Sequence, residues 1–177
     1  LRMRMPVFES VFEGKLLSEG RWEGIWRDPS RSTGDANYQI PFVATHGNSK
    51  RFADLQTDVR LDTMYEAEFS PETEDAYPAI GIFRQRGAEV VGTFLTETGD
   101  YRYLEGGLSG NKLSLSAFDG SHAFIFTADV NPEGKLEGQF YSGKHWQEPW
   151  KATPNPEVKL AEPDKITYLK EGYKGDF

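Results

Sequence analysis

The chain has 177 residues, with 28 Asp and Glu against 20 Lys and Arg, for a formal charge of −8. That length suits one domain with a proper core, and the acidic balance excludes a general nucleic-acid binder, which needs a basic face to displace counterions from phosphates. No cysteine is present, so neither a disulfide framework nor thiol chemistry can occur within the chain.

Aromatic residues make up 14 % of the sequence, beside 18 Gly and 10 Pro. Many turns and many rings favour a sheet protein over a helical bundle. No apolar run is long enough to make a transmembrane segment. The sequence opens at Leu1, and we expect any signal peptide or lipid-attachment Cys to have been removed ahead of it.

From residue 22 to residue 152 the pattern is mostly period-two alternation, which predicts half-buried strands. Val7 to Leu17 adds one further strand ahead of it. Trp22, Gly24 and Trp26 open the series, followed by Tyr38, Ile40, Phe42 and Ala44. Leu61, Thr63, Tyr65, Ala67 and Phe69 alternate next, and Ile80 and Ile82 lie in a strand ending near Gln85. Residues 45–59 read as a loop with one helical turn around Lys50 to Leu55.

In the second half, Val90, Gly92 and Phe94 share one strand, and Tyr101 and Tyr103 share another. Three clear runs follow: Leu113, Leu115 and Ala117; Phe124, Phe126, Ala128 and Val130; then Leu136, Gly138 and Phe140. A last strand passes through Trp150.

Short breakers separate these runs, among them Arg86-Gly87-Ala88, Ser109-Gly110-Asn111, Asp119-Gly120-Ser121 and Asn131-Pro132-Glu133-Gly134. Connections this short make sequential strands antiparallel neighbours. The expected fold is all-β: an antiparallel up-and-down meander of about nine or ten strands, closing into a barrel of lipocalin-like shape. A two-sheet β-sandwich is the alternative. The domain is expected over 1–152, with 153–177 as a tail opened by Thr153-Pro154-Asn155-Pro156.

Successive hairpins of a meander alternate between its two ends. One end then collects plain turns at 86–88, 109–111 and 131–134, with the 45–59 loop. The other collects 27–36, 70–78, 96–100, 118–122 and 142–149. Two of the three histidines and one of the four tryptophans fall at this second end. Loops on a rigid scaffold carry function, so the candidate interaction residues are Glu97, Asp100, Tyr101, Asp119, His122, Lys144, His145 and Trp146.

His122 and His145, with Asp119, Asp100 or Glu148, are of ligand type, but no His-x-x-x-His spacing supports a metal site. Glu97, Asp100, Glu105 and Asp119 offer carboxylate pairs of the kind glycoside hydrolysis needs. In a chain this acidic such proximity arises by chance. No Gly-x-Ser-x-Gly motif supports acyl transfer. No catalytic residue, metal or cofactor is assigned. Trp150 and the strand tyrosines read as core packing, whereas Trp146, in a Gly-Lys-His-Trp-Gln loop, suits an exposed anchor at a partner interface.

The segments Gly92-Thr93-Phe94-Leu95-Thr96-Glu97-Thr98-Gly99-Asp100-Tyr101-Arg102-Tyr103-Leu104 and Phe118-Asp119-Gly120-Ser121-His122-Ala123-Phe124 carry a family resemblance. So do Phe140-Tyr141-Ser142-Gly143-Lys144-His145-Trp146 and Tyr168-Leu169-Lys170-Glu171-Gly172-Tyr173. Together they resemble the N-terminal region of TlpA-like, AhpC/TSA-type thiol-disulfide isomerases of the Bacteroidetes. In that family a sheet-rich domain precedes a thioredoxin-fold domain carrying Cys-x-x-Cys. The resemblance implies a non-catalytic accessory domain of a periplasmic or cell-envelope oxidoreductase. Its expected partner is the C-terminal thioredoxin-like domain of the same protein, following the 153–177 connection. With no cysteine here, no catalytic residue of the family carries over. A small-ligand barrel holding a lipid or glycan is the alternative function.

Overall fold

A computed structural model describes residues 1–17, 20–29, 38–47, 51–52 and 54–161. Their thirteen strands are β1 (Arg2–Arg4), β2 (Val11–Leu16), β3 (Arg21–Arg27), β4 (Gln39–Thr45), β5 (Met64–Phe69), β6 (Tyr77–Arg86), β7 (Glu89–Thr96), β8 (Gly99–Asp100), β9 (Leu104–Ser109), β10 (Lys112–Phe118), β11 (Ala123–Val130), β12 (Leu136–Ser142) and β13 (Trp146–Pro154). β1 to β4 form one antiparallel sheet in chain order. The rest form a second sheet in which β6 pairs with both β5 and β7, and β13 returns to β5. The result is a closed eight-stranded antiparallel barrel, with β8 as a short extra strand on β7.

The all-β meander barrel therefore stands, with eight strands closing it rather than nine or ten. The runs around Trp22 and Tyr38 pair with each other and with β2 instead of joining the barrel. Tyr101 and Tyr103 lie in the connection between β8 and β9, because the two-residue β8 ends at Asp100. β13 begins at Trp146, inside the stretch read as a loop, and continues to Pro154. The expected helical turn around residues 50–55 lies partly outside the described residues, and the tail beyond 161 wholly so. Gln56 makes a lone parallel bridge to Ser109.

Period-two patterning puts one row of each strand inside the barrel. On β10 the inner row is Leu113, Leu115 and Ala117; on β11 it includes Phe126, Ala128 and Val130; on β13 it is Glu148, Trp150 and Ala152, and all of these are buried. Register carries these rows around the wall, pairing Phe126 with Phe140 and Trp150 with Phe69. Eight strands enclose a space that side chains can fill, and here rings fill it. Phe126 stacks on Phe140 at 4.5 Å and on Phe94 at 5.0 Å. Trp150 meets Phe94 edge-on at 5.0 Å, and Phe69 meets it at 5.3 Å. Rings at these separations touch, so side chains occupy the space between the strands. Burying each such phenylalanine is worth about 1.5–3 kcal/mol.

The hairpins sort as the strand order requires. The connections at 87–88, 110–111 and 131–135 lie at one end. Those at 70–76, 97–103, 119–122 and 143–145 lie at the other, here called the loop-rich mouth. The N-terminal sheet sits against this mouth. Phe12 and Trp26 pack edge-on against Phe118 at 5.6 and 5.8 Å. Ser10 donates to the Gly120 carbonyl, and Ser121 Oγ donates to Asp28 Oδ2 at 2.9 Å, both bonds buried.

Candidate functional site

The mouth contains three sets of polar contacts. The innermost centres on Glu148, which the inner row of β13 turns into the barrel, leaving it 4 % exposed. Ser70 Oγ donates to Oε2 at 2.6 Å and Tyr77 Oη donates to Oε1 at 2.8 Å. Tyr77 and Tyr101 hydroxyls are 2.6 Å apart. A phenol has one proton, and that of Tyr77 is engaged by Glu148, so Tyr101 donates to Tyr77. Burial raises the pKa of both tyrosines above the ordinary value, and the Glu148 carboxylate adds to it in each. They are hydrogen-bond donors at neutral pH, not bases or nucleophiles. The rings continue into the core, where Tyr77 stacks on Phe69 at 5.1 Å and Tyr101 meets Phe140 at 4.9 Å.

The second set is the β10–β11 turn. Asp119 Oδ1 accepts from the backbone N–H groups of Ser121 at 2.9 Å and His122 at 2.7 Å. Its Oδ2 lies 3.1 Å from His122 Nδ1 and accepts from Arg102 Nε at 3.3 Å. Burial pushes the Asp119 carboxyl up, but these bonds from His122 and Ser121, with the His122 ring, outweigh it and hold the group below the ordinary value. Arg102 is a non-glycine residue at φ +63°, and its N–H bonds Asp100 Oδ1 at 2.9 Å. The arrangement ties two neighbouring loops together and leaves His122 stacked on Phe124 at 5.4 Å.

The third set seats the N-terminal sheet. Lys144 Nζ donates to the Gln39 carbonyl at 3.1 Å, and His145 Nδ1 lies 3.1 Å from Tyr38 Oη. Tyr38 lies over Gly143, whose φ of +60° suits glycine. A Cβ there would overlap the Tyr38 hydroxyl.

The structure thus divides the eight predicted residues. Asp119 and His122 pair with each other, Tyr101 joins the Glu148 network, and Asp100 braces Arg102. Glu97 is exposed at the tip of its loop. Lys144 and His145 contact this chain's own β4 region. Trp146 is the first residue of β13 and stands 51 % exposed. Sequence reasoning missed Tyr77 and Ser70, and weighed Glu148 only as a metal ligand. The available signal was alternation, since Glu148 shares the parity of the buried Trp150 and Ala152.

Among the described residues no group of three or more His, Cys, Asp or Glu side chains gathers as metal ligands. No helix among them is long and apolar enough to cross a membrane. No protein-family model, curated protein or solved structure matches the chain.

Proposed function

We propose that this chain is a non-catalytic interaction domain that meets its partner through the loop-rich mouth and the sheet seated on it. One observation carries the reading. Among the described residues, the exposed large hydrophobic ones are Leu1, Met3, Val7, Leu16, Leu17, Ile25 and Val43 in the N-terminal region, with Tyr103, Phe118, Ile125 and Trp146 on the barrel. The four barrel residues lie in or near the mouth loops, and among the described residues the plain-turn end has none. Apolar side chains gathered on one side of a molecule mark a contact surface, and exposed aromatic anchors such as Trp146 are typical of such surfaces.

The filled barrel favours this reading over a ligand carrier, whose interior must stay hollow to hold a lipid or glycan. The narrower reading makes the partner a thioredoxin-like domain and the setting the cell envelope. It rests on the sequence resemblance alone. A photo-reactive residue at Trp146 or Tyr103, compared with one at Asp129 on the opposite end, tests the interaction in the cells that make the protein. Adducts from the mouth positions only are expected, and mass spectrometry of an adduct containing a Cys-x-x-Cys thioredoxin fold would support the redox reading. Adducts from Asp129 alone would refute the assignment of the face.

A further inference from the structure

Beside the Glu148 network the mouth opens into a groove of about 440 Å³. Tyr77, Tyr101 and Phe124 supply its aromatic wall, Glu97 and Asp100 its acidic rim. Among the described residues no Lys, Arg or His side chain lines it. Among the described residues beside it, Arg102 is engaged with Asp119 at 3.3 Å, and the His122 ring that stacks on Phe124 is engaged with it too. A second, independent feature has the same sign. Glu148, buried behind Tyr77, is bonded only to hydroxyl groups, and no ion pair reaches it among the described residues. A buried carboxylate without a counter-charge is costly, and positive charge brought to this side of the mouth lowers that cost. The hydroxyl chain leaves acceptors rather than donors toward the groove, because Tyr101 gives its proton to Tyr77. Negative rim, acceptor-lined wall and aromatic faces together suit a cation on an apolar stem, and they disfavour phosphate or any other anion.

We propose that this groove receives the cationic side chain, Arg or Lys, of an extended partner segment. The head lies at the Glu97 and Asp100 rim and the methylene stem lies against the three rings. This rests on the interaction reading above and names the partner's chemistry at that surface.

The test is an amide NMR titration of the chain with acetyl-Ala-Arg-Ala-amide, and with acetyl-Ala-Gln-Ala-amide as the neutral control. The Arg peptide is expected to shift the amides of Tyr77 and residues 96–101 with a Kd of ~1 mM, and the Gln peptide to leave them in place. Glu97→Gln removes a rim charge that makes no hydrogen bond or ion pair among the described residues, so the fold is kept. It is expected to weaken the Arg response ~3-fold, and Glu97→Gln with Asp100→Asn ~10-fold. Equal responses to the two peptides, no response to Arg at ~10 mM, or a response unchanged in both variants would overturn the proposal. The two readings fail separately. A partner cross-linked from Trp146 that leaves the groove amides unmoved removes the cation site alone. An Arg response in the groove with adducts from Asp129 only removes the interaction face and keeps the site.

Discussion

Gly143→Ala probes the seat of the N-terminal sheet, and Gly110→Ala supplies its control. Both glycines have φ +60°. An alanine at either position bears the left-handed backbone cost of ~1–2 kcal/mol. At Gly110 nothing among the described residues lies within 4 Å of the added Cβ, whereas at Gly143 it overlaps Tyr38 Oη. The excess at Gly143 therefore measures the displacement of Tyr38 from His145. That displacement removes a 3.1 Å hydrogen bond and an edge-on ring contact at 5.2 Å. At ~0.5–1.5 kcal/mol for the bond and a similar amount for the rings, the excess comes to ~1–3 kcal/mol. Because β4 follows Tyr38 directly, the loss is local to the sheet. Amides of β3 and β4 should exchange ~5- to 150-fold faster in Gly143→Ala, with the barrel strands β10 to β12 little changed. Gly110→Ala should leave β3 and β4 at the wild-type rate. Equal exchange of β3 and β4 in the two variants would refute the seating of the sheet through Tyr38.

Phe126→Ala, which empties a position touching Phe94, Phe140 and Tyr101, should cost ~3–5 kcal/mol in urea denaturation. Glu148→Ala should cost ~2–4 kcal/mol, since it leaves the buried Ser70 hydroxyl and the half-buried Tyr77 hydroxyl without their acceptor, and Glu148→Gln should cost less. Asp119 has a folded pKa below its ordinary 3.8, so its contribution is present above that value and lost as pH falls through the lower folded one. The stability gap between wild type and Asp119→Asn, followed by urea denaturation at stepped pH, should narrow in that acidic window. Tyr65, Tyr77 and Tyr101 titrate above the ordinary 10.0, burial being the main cause. Stability linked to them is intact below pH 10 and lost as pH rises toward their folded values. A tyrosinate absorbance titration should show a late-ionising fraction that disappears in denaturant.

The barrel was legible where alternation and turn chemistry agreed. Leu113, Leu115 and Ala117 lie on the inner face as the pattern demands, and Ser109-Gly110-Asn111 is the tight β9–β10 turn. Parity then placed the polar loops at one end. The second sheet was not legible, because Trp22, Gly24 and Trp26 alternate in the same way whichever neighbour they pair with. Alternation reports a half-buried strand and says nothing of its sheet. Lys144 and His145 looked free for a partner for the same reason: their contacts, Gln39 and Tyr38, lie more than a hundred residues earlier. Glu148 was hidden by its neighbours Gln147 and Pro149, which read as loop although they lie on the outer face of β13.

Hydroxyl-radical footprinting of the chain, free and in its native complex, tests the central claim most directly. Tyr103, Phe118, Ile125 and Trp146 are exposed in the free chain and should be oxidised readily. The account predicts that the complex protects them while residues of the opposite end, such as Pro132, keep their reactivity. Protection of the plain-turn end with the four mouth residues still reactive would contradict it.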